Sequence, residues 1–485
     1  MKYQWISFCV FLLTLMNLMA EDSLAKVYQL ETSSVTATRI PTTIDEAPGN
    51  VNVITKEDIN LRPNTKFSDT LRGMEGIRQS KSRGMDTFDT ATIRGIANGT
   101  MIMLDGVMLN DINNNTKPIV AMNADDLEQV EVIRGPFSNL YGSGALGGAI
   151  NFVTAMPQKF EIKAKLGYGN PFQKDTAQEN LIRGYFSIGD TFLDKKLRIK
   201  ASYGFTTSSG YPADSAWVYP NDNILNHASG QIPSQSANGE SIFVIGDMGK
   251  QSYNTHDFRL KFQADVSDSI HIESGGSLNL YSYTHLDHKT YLYNTSTHQQ
   301  IWGNNSNTVI NNNQEDTSKR RPYPINFGRN IGQEKFLQSI VYLGYQHYFN
   351  EIMLSAKYSR IDSWDNFNNP DGGINMDNPS QANTTMAGGD GSQTFTRHQT
   401  NNLDIFTDIP FDIPRTQAHH FLIGLQLRQT SLDSQINNIN NWRDYNSFVV
   451  GIRNKQGGKS LNVGGFMEYR SQWLKSLSTT IGMRY

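Results

Sequence analysis

Few residues in this sequence have types and spacings that could carry out chemistry. Residues 142–147 (GSGALG) match the G-x-G-x-x-G pattern of dinucleotide-binding turns, which needs a strand before it and a packed helix after it. The residues from Ala149 to Val153 are instead strand-like. We therefore interpret the glycines as allowing tight turns. No Ser-His-Asp or paired-carboxylate arrangement has a supporting context, so we predict neither an enzyme nor a cofactor.

Two histidines and three aspartates are the candidates for metal ligands. His285 and His288 lie three residues apart, a spacing that can bind metal on a helix, but nothing marks their segment as helical. Ordinary loop histidines are favoured, and a haem or metal-ion receptor stays open as an alternative. Asp371, Asp377 and Asp390 do not match the spacing of a calcium loop. We predict no metal site.

Composition narrows the class of protein. The 485 residues are 18% charged and 11% aromatic, include 40 glycines, and carry a formal net charge of -3. Nucleic-acid-binding proteins usually show a basic excess, so we predict no nucleic-acid partner. The negative mean hydropathy argues against a bundle of membrane helices. Abundant glycine and aromatic residues with few charges are typical of many short strands and turns.

The first twenty residues have the features of a secretory signal peptide. Lys2 precedes an apolar run from Ile6 to Met16, and Ala20 is a small residue at a plausible cleavage point. The only cysteine, Cys9, lies inside this run. We therefore predict an exported protein whose mature chain contains no cysteine, which excludes disulfide scaffolds and thiolate metal sites.

After residue 157 the sequence alternates between apolar and polar side chains. The alternation is clearest at 197–205 and 258–266, and it recurs in about eleven predicted strands between Glu161 and Tyr485. Short connections alternate with long ones such as 207–254, 284–334 and 428–460. Transmembrane barrels alternate in this way, with short periplasmic turns and long extracellular loops. The sequence predicts a mainly β fold, a transmembrane antiparallel β-barrel at 156–485.

Two further expectations concern that barrel. Tyr203, Tyr281, Tyr345, Tyr358 and Tyr469 lie near strand ends and suit an aromatic girdle. Bacterial barrels have even numbers of strands, and a count of about eleven cannot close, so we expect an incomplete barrel in a truncated chain.

Residues 51–155 predict a compact unit with an α+β pattern. Thr55 with Asp58 forms the sequence pattern of a capping box, and a second helix is expected around 67–72. Strands are expected at 51–54, 92–94, 101–104 and 130–134, with Asp105-Gly106 as a tight turn.

This unit resembles the plug domain of TonB-dependent outer-membrane receptors. The matching blocks occur in the family's order at 93–95 (IRG), 103–107 (MLDGV), 130–136 (VEVIRGP) and 140–151 (LYGSGALGGAIN). The resemblance implies an N-terminal plug inside a barrel, of the plugged-lumen class of transporter. It also implies import through the outer membrane of a Gram-negative bacterium, in contact with outer-membrane lipid.

Within the preceding flexible segment, 21–50, one short stretch resembles the family's TonB box. It consists of Glu31, Thr32, Ser33, Ser34, Val35, Thr36 and Ala37. The resemblance implies that this stretch engages the TonB energy-transducing complex of the inner membrane. Strand addition suits such a contact because backbone hydrogen bonds bind a short extended segment.

The resemblance also implies two groups of site residues in the plug. Lys81, Arg83 and Phe88 match the first apical plug loop, where cations and an aromatic ring would suit an anionic ferric chelate, although a solvated loop is an equal alternative. A second group of charged residues is expected to lie between the plug and the barrel wall: Arg94, Glu131 and Arg134.

A ferric siderophore is the ligand that we expect from the family. Cobalamin or haem import through the same architecture is the close alternative. A non-transporting surface barrel, such as an adhesin, is the alternative from another class, and it would not need residues 31–37.

Overall fold

A computed structural model of the chain shows a small mixed unit set against a large antiparallel sheet. No helix among the residues it describes is long and apolar enough to cross a membrane. The structure describes residues 39–40, 42, 47, 49–62, 64, 66–80, 90–96, 98–110, 119, 121–135, 137–171, 179–212, 215–218, 228–298, 300, 332–370, 384–385, 388–414, 416, 418–474 and 477–485.

Among the residues that the structure describes, the N-terminal unit, which we call the plug, contains seven strands, three short α-helices and two 3-10 turns. The strands are β1 (Asn50–Thr55), β2 (Ile77–Ser80), β3 (Thr90–Ile93), β4 (Thr100–Leu104), β5 (Val107–Met108), β6 (Leu127–Arg134) and β7 (Gly148–Thr154). The helices are α1 (Lys56–Asn60), α2 (Phe67–Thr70) and α3 (Ser138–Tyr141), and the 3-10 turns are Ala124–Asp126 and Ser143–Ala145.

Five of these strands form one sheet in the order β1-β6-β7-β4-β5. Only the β4–β7 pairing is parallel, so the sheet is mixed. Its central strands are buried on both faces, as Ile102 and Phe152 on one face and Met103 and Ala149 on the other show. The predicted capping box is confirmed, because the Thr55 side chain accepts from the Asp58 backbone and the Asp58 side chain accepts from the Thr55 backbone.

The segment 142–147 leads into strand β7, not into a packed helix. Gly142 has a φ of 81°, in the left-handed region that glycine adopts without steric cost. The structure therefore agrees with a turn at this position.

The C-terminal part of the chain forms an eleven-stranded antiparallel sheet, in agreement with the predicted number of strands. Each strand pairs with its neighbour in the sequence of long strands. They are β8 (Glu161–Gly169), β9 (Leu181–Phe192), β10 (Leu197–Ser208), β15 (Lys250–Ser267), β16 (Ile270–Leu286), β19 (Gln333–Phe349), β20 (Ile352–Pro370), β23 (Gly391–Asp412), β24 (Ala418–Ile439), β25 (Phe448–Leu474) and β26 (Leu477–Arg484).

Short strands occupy three of the long connections. They are β11 (Ser215–Val218), β12 (Ala228–Ser229), β13 (Ile232–Gln235), β14 (Ser241–Asp247), β17 (Lys289–Thr290), β18 (Tyr293–Asn294), β21 (Thr384–Thr385) and β22 (Gly388–Gly389). Four of them form one sheet in which β14 pairs with β11, β13 and β17, and the other four form two separate pairs, β12 with β18 and β21 with β22.

The two faces of the large sheet meet different surroundings. On β19, Val341 and Leu343 are exposed on the outer face, while Ile340 and Tyr342 pack into the hydrophobic core of the plug. The plug therefore lies against the inner face, and the outer face is the one suited to lipid. Tyr281 is an exception to the predicted girdle: it is buried on the inner face, where it stacks on Phe336 with ring centroids 5.0 Å apart.

One predicted connection is much shorter than expected. The loop predicted at 428–460 is reduced to residues 440–447, because β24 continues to Ile439 and β25 begins at Phe448. These strands have 22 and 27 residues, whereas about 9–11 suffice to span a bilayer. Past the apolar band, polar side chains occupy both faces of the ladder, so the alternation that marks a strand is lost.

The turn at 440–447 folds back over the sheet. Its backbone carbonyls accept hydrogen bonds from three side-chain amides: Gln333 to Trp442 and Arg443, Asn368 to Trp442, and Gln393 to Tyr445. Gln333 pairs with Asn368, and Asn368 with Gln393, so the three amides share one face.

That face is the outer one. Gln333 lies seven residues from Ile340, and an odd spacing along a strand places two side chains on opposite faces. Trp442 is completely buried at this position. The turn therefore fastens together the outer ends of β19, β20 and β23 from outside the sheet.

Candidate functional site at the plug and barrel interface

A tight turn after β4 places a plug carboxylate against the barrel wall. Asp105 and Gly106 have φ values of 48° and 76°, as a two-residue hairpin turn requires. The Asp105 carboxylate accepts hydrogen bonds from the backbone N and the Oγ1 of Thr154, at 2.9 and 2.8 Å. It also lies 2.9 Å from Nζ of Lys261 and 3.3 Å from the Tyr342 hydroxyl, both on the wall.

Lys357, also on the wall, donates from Nζ to the backbone oxygen of Asp105 at 2.6 Å. We call Asp105, Thr154, Lys261, Tyr342 and Lys357 the Asp105 cluster. Burial alone would raise the pKa of the Asp105 carboxyl, but the Lys261 ammonium and the Thr154 hydrogen bonds outweigh it and hold the pKa below the ordinary value. The ionised carboxylate is therefore the form that fits this position.

A second plug carboxylate, Asp126, ends the 3-10 turn before β6. It lies 2.8 Å from Nζ of Lys200 and 3.3 Å from Nη1 of Arg259, and it accepts a 2.7 Å hydrogen bond from the Tyr185 hydroxyl. We call these four residues the Asp126 cluster. Burial would raise the pKa of Asp126, but the two cations outweigh it and lower the pKa.

Neighbouring plug residues extend this contact along the wall. Asp125 forms ion pairs with Lys165, at 2.7 Å, and with Arg183. The backbone N of Asn123 donates to Asp257 on β15 at 2.8 Å. The plug thus presents carboxylates to cations of β8, β9, β10 and β15, and a backbone oxygen to a cation of β20, which docks it on this wall.

Arg39 makes a separate contact with β23, the next strand of the wall after β20. Its Nη2 donates to Asp404 on β23 at 2.9 Å and to the backbone oxygen of Leu140 at 3.0 Å. The guanidinium lies over the rings of Tyr141 and Phe466, at 4.8 and 4.6 Å from their centroids. Only 5% of the Arg39 side chain is exposed. Burial raises the pKa of Tyr141 to about 12, so its hydroxyl stays neutral beside this cation.

The three charged plug residues predicted at the barrel wall occupy different places. Arg134 donates to Asn50 and Asn52 on β1 and to the backbone oxygen of Glu75, so its hydrogen bonds hold parts of the plug together. Buried Glu131 accepts from Gln129 at 2.8 Å and from Asn151 at 3.1 Å, both also in the plug.

Arg94 follows β3 in a turn, with an exposed side chain and a φ of 54°. The structure does not bring it next to Glu131 or Arg134 through a hydrogen bond or ion pair among the described residues. Glu31 to Ala37 and the apical residues Lys81, Arg83 and Phe88 lie outside the described residues.

Sequence reasoning missed the carboxylates that meet the wall. Asp105 was identified only as a turn residue, and Asp125 and Asp126 were passed over. One signal was available, since a carboxylate directly after an apolar strand lies at the sheet edge, where it can reach another element. Nothing in the sequence identified their partners, which come from strands 40–250 residues further along.

Aromatic residues line the outer end of the inner face. Tyr253, Tyr281, Tyr283 and Phe336 form a buried cluster with Ala121 of the plug. The rings of His285 and His288 lie close by, at 6.3 Å between centroids. Among the residues the structure describes, no group of three or more His, Cys, Asp or Glu is placed to hold a metal ion.

Comparison with known proteins agrees with this arrangement. Residues 43–149 match the family model described as the TonB-dependent Receptor Plug Domain. An iron-regulated outer membrane virulence protein of Vibrio cholerae serotype O1 is 33% identical over 194 residues, which are 36% of this chain and 28% of that protein. A vitamin B12 transporter, BtuB, of Vibrio vulnificus is 32% identical over 143 residues, 29% of this chain and 23% of that protein.

Solved structures share the fold over most of this chain. The unliganded ferric citrate transporter FecA superposes with a TM-score of 0.62 at 14% identity, covering 91% of this chain and 56% of that one. The pyoverdine receptor FpvA of Pseudomonas aeruginosa PAO1 gives 0.60 at 15% identity, covering 93% and 58%. The chain thus spans little more than half the length of these structures, and its matches cover under a third of the curated relatives.

Proposed function

We propose that this chain, which has the plug domain and the strand arrangement of TonB-dependent outer-membrane receptors, imports a scarce ligand, most simply a ferric siderophore. Proteins of this family are transporters and not enzymes. The ligand would be captured at the plug apex, by Lys81, Arg83 and Phe88, and by the extracellular loops. Residues 31–37 would then engage the TonB complex of the inner membrane, and a pull on them would rearrange the plug.

The observation that carries this proposal is the position of Arg39. It follows the 31–37 stretch by two residues and is held by both Asp404 of the wall and Leu140 of the plug. A force applied to 31–37 would therefore reach a buried contact between plug and wall before it reached β1. A surface barrel that does not transport has no need of such a connection.

Deletion of residues 31–37 tests the importer directly. We expect uptake to be abolished while ligand binding at the cell surface is retained, because the deletion leaves Arg39 and the plug sheet in place. Uptake that survives the deletion would contradict the mechanism and favour the adhesin class. A second deletion of equal length on the extracellular side, at 233–239, is the control for chain shortening.

Cobalamin is the second candidate ligand, because one of the relatives is a vitamin B12 transporter. Quenching of tryptophan fluorescence in the full-length protein distinguishes the two. We expect saturable quenching by one ferric chelate among catecholates, hydroxamates and citrate. Quenching by cobalamin alone, or by haem alone, would be consistent with the same architecture but would contradict a ferric siderophore as the ligand.

A further inference from the structure

Two cavities lie between the plug and the same stretch of barrel wall. The lower cavity, towards the short turns, has a volume of about 370 Å³. The upper cavity lies between the Asp105 and Asp126 clusters and has about 20 Å³, room for roughly one water molecule. Asp105 and Lys261 line both cavities. Their ion pair is therefore the partition that separates the two spaces.

The lower cavity is large and polar. Its volume falls in the range of small-molecule pockets, roughly 300–1,000 Å³. Charged side chains line it, and they are paired with one another: Arg198 with Asp265, Lys357 with Glu273, and Arg39 with Asp404. Such a lining can accept a hydrated solute, because each charge already has a partner.

The wall beside the two cavities has few protruding side chains. Gly275 borders the upper cavity and Gly344 the lower one. A Cβ on Gly275 would lie 2.6 Å from the Tyr342 ring, and a Cβ on Gly344 would lie 2.8 Å from Glu273. Glycine at both positions leaves space at the inner face that any other residue would fill.

The partition lies beside a short edge strand of the plug sheet. β5 has two residues and pairs only with β4 in the plug sheet, at its edge. The turn between them is held to the wall by Lys261 and Tyr342 on the carboxylate and by Lys357 on the backbone oxygen. When these wall contacts separate, the hydrogen bonds from Thr154 keep Asp105 on the plug, so a gap opens between the plug and the wall without separating β4 from β7.

We propose that the contact between Asp105 and Lys261 gates a passage along the β15–β20 wall, and that its separation joins the lower cavity to the upper one. The physiological meaning of this passage rests on the proposed import function. The gate itself is a property of the plug and the wall, so it is tested without ligand or TonB.

The test is ion conductance of the purified full-length protein in planar lipid bilayers. Asp105→Asn and Lys261→Met each remove the charge of one partner. We expect at least about a tenfold rise in the frequency of open events for each, since an unpaired buried charge strongly destabilises the closed arrangement. The double variant should open no more often than the more active single variant, because both changes act on one contact.

Lys165→Met is the control for loss of a plug-to-wall lysine at the edge of the contact, where the lysine side chain is 49% exposed and Asp125 keeps its pair with Arg183. It removes another plug-to-wall lysine–aspartate pair, Lys165 with Asp125 at 2.7 Å, that lines neither cavity. Open events within about twofold of the parent protein are expected for this variant. Equal opening in Lys165→Met and Lys261→Met would mean a generally loosened plug and would overturn the proposal, as would unchanged conductance in both Asp105→Asn and Lys261→Met.

A second measurement tests the gate independently of conductance. Ser277 lines the upper cavity, and Ser277→Cys can be modified by a small cationic thiol reagent added from the periplasmic side. We expect at least about tenfold faster modification when Asp105→Asn is also present. Equal rates with and without Asp105→Asn would refute the gate even if uptake depends on residues 31–37. Faster modification of Ser277→Cys, together with uptake that does not depend on residues 31–37, would support the gate and contradict the proposed import function.

Discussion

Replacing Asp404 should release the chain that precedes the plug. The perturbation is Asp404→Ala, which leaves the Arg39 guanidinium between the rings of Tyr141 and Phe466 without its carboxylate. Asp404→Asn is the milder form, since the amide oxygen can still accept a hydrogen bond. Arg39 should therefore be released to a small extent in Asp404→Asn and to a larger extent in Asp404→Ala, relative to the parent protein.

The size of the effect follows from the burial of the pair. The Arg39 and Asp404 side chains are 5% and 16% exposed, so little solvent screens their charges. Removing one partner of a buried pair costs about 3–5 kcal/mol, which corresponds to a population shift of at least about a hundredfold. Arg39 keeps its hydrogen bond to Leu140, which places the expected shift at the lower end of this range.

Thiol modification at residue 40 measures the release. Ile40 is 6% exposed, and Ile40→Cys becomes accessible only when the segment leaves the plug. The modification rate should rise about a hundredfold in Asp404→Ala if opening and closing are fast compared with modification. Cys9 lies in the predicted signal peptide, so the engineered thiol is the only one expected within residues 21–485.

The matched control is Asp408→Ala on the same strand. Asp408 is 4% exposed and lies 3.0 Å from the ring nitrogen of His420, so its replacement removes a buried carboxylate without touching Arg39. Its modification rate should stay near that of the parent. A rise of less than about threefold in Asp404→Ala, or an equal rise in Asp408→Ala, would show that the pair does not restrain this segment.

Three other predictions follow from the geometry. Gly391→Ala would place a Cβ 2.6 Å from the Trp442 Cβ and should destabilise the packing of the 440–447 turn by about 1–3 kcal/mol. Protease cleavage within the turn should then be faster. Gly465→Ala is the control, because its added Cβ would meet nothing within 4 Å and cleavage should not change. Gly148→Ala should destabilise the plug by about 1–3 kcal/mol or more in denaturant unfolding, because Gly148 has a φ of 142° and an added Cβ would collide with the Ile133 carbonyl; unchanged stability would contradict this. Plug docking should weaken in acid, because the pKa values of Asp105 and Asp126 are lowered from 3.8 in the folded protein. The stability that these two carboxylates contribute is complete above about pH 4 and is lost as the pH falls through their folded pKa values. A series of thermal-unfolding measurements from about pH 6 to pH 2 would detect the loss.

Most of the fold could be predicted from the sequence because it depends on local patterns. Period-two alternation identified the strands of the large sheet, and Thr55 with Asp58 identified the start of the first helix. The alternation did not identify strand residues beyond the apolar band, where lipid no longer contacts one face of the sheet. Beyond the apolar band both faces of a strand meet water, so β24 and β25 continue through residues that the alternation assigns to a loop.

The candidate site was less predictable because its partners are distant in the sequence. The family motif drew attention to Glu131 and Arg134, which are buried within the plug. Asp105 and Asp126 reach the wall because their turns lie at the ends of plug strands, after β4 and before β6, and which cation each meets depends on strand register. Register across eleven strands is a property of the assembled sheet and not of any one segment.

The 440–447 turn has a consequence for how the cell surface can vary. Because the strands rise far past the lipid and are fastened from outside at Gln333, Asn368 and Gln393, an approaching antibody, phage or toxin meets ordered sheet over this region. Sheet tolerates exchange of outward side chains but not insertions, which would shift the register of every neighbour. Antigenic change on this side of the molecule is therefore expected to proceed by point substitution, and peptide tags placed at 440–447 should disturb β19, β20 and β23 at once.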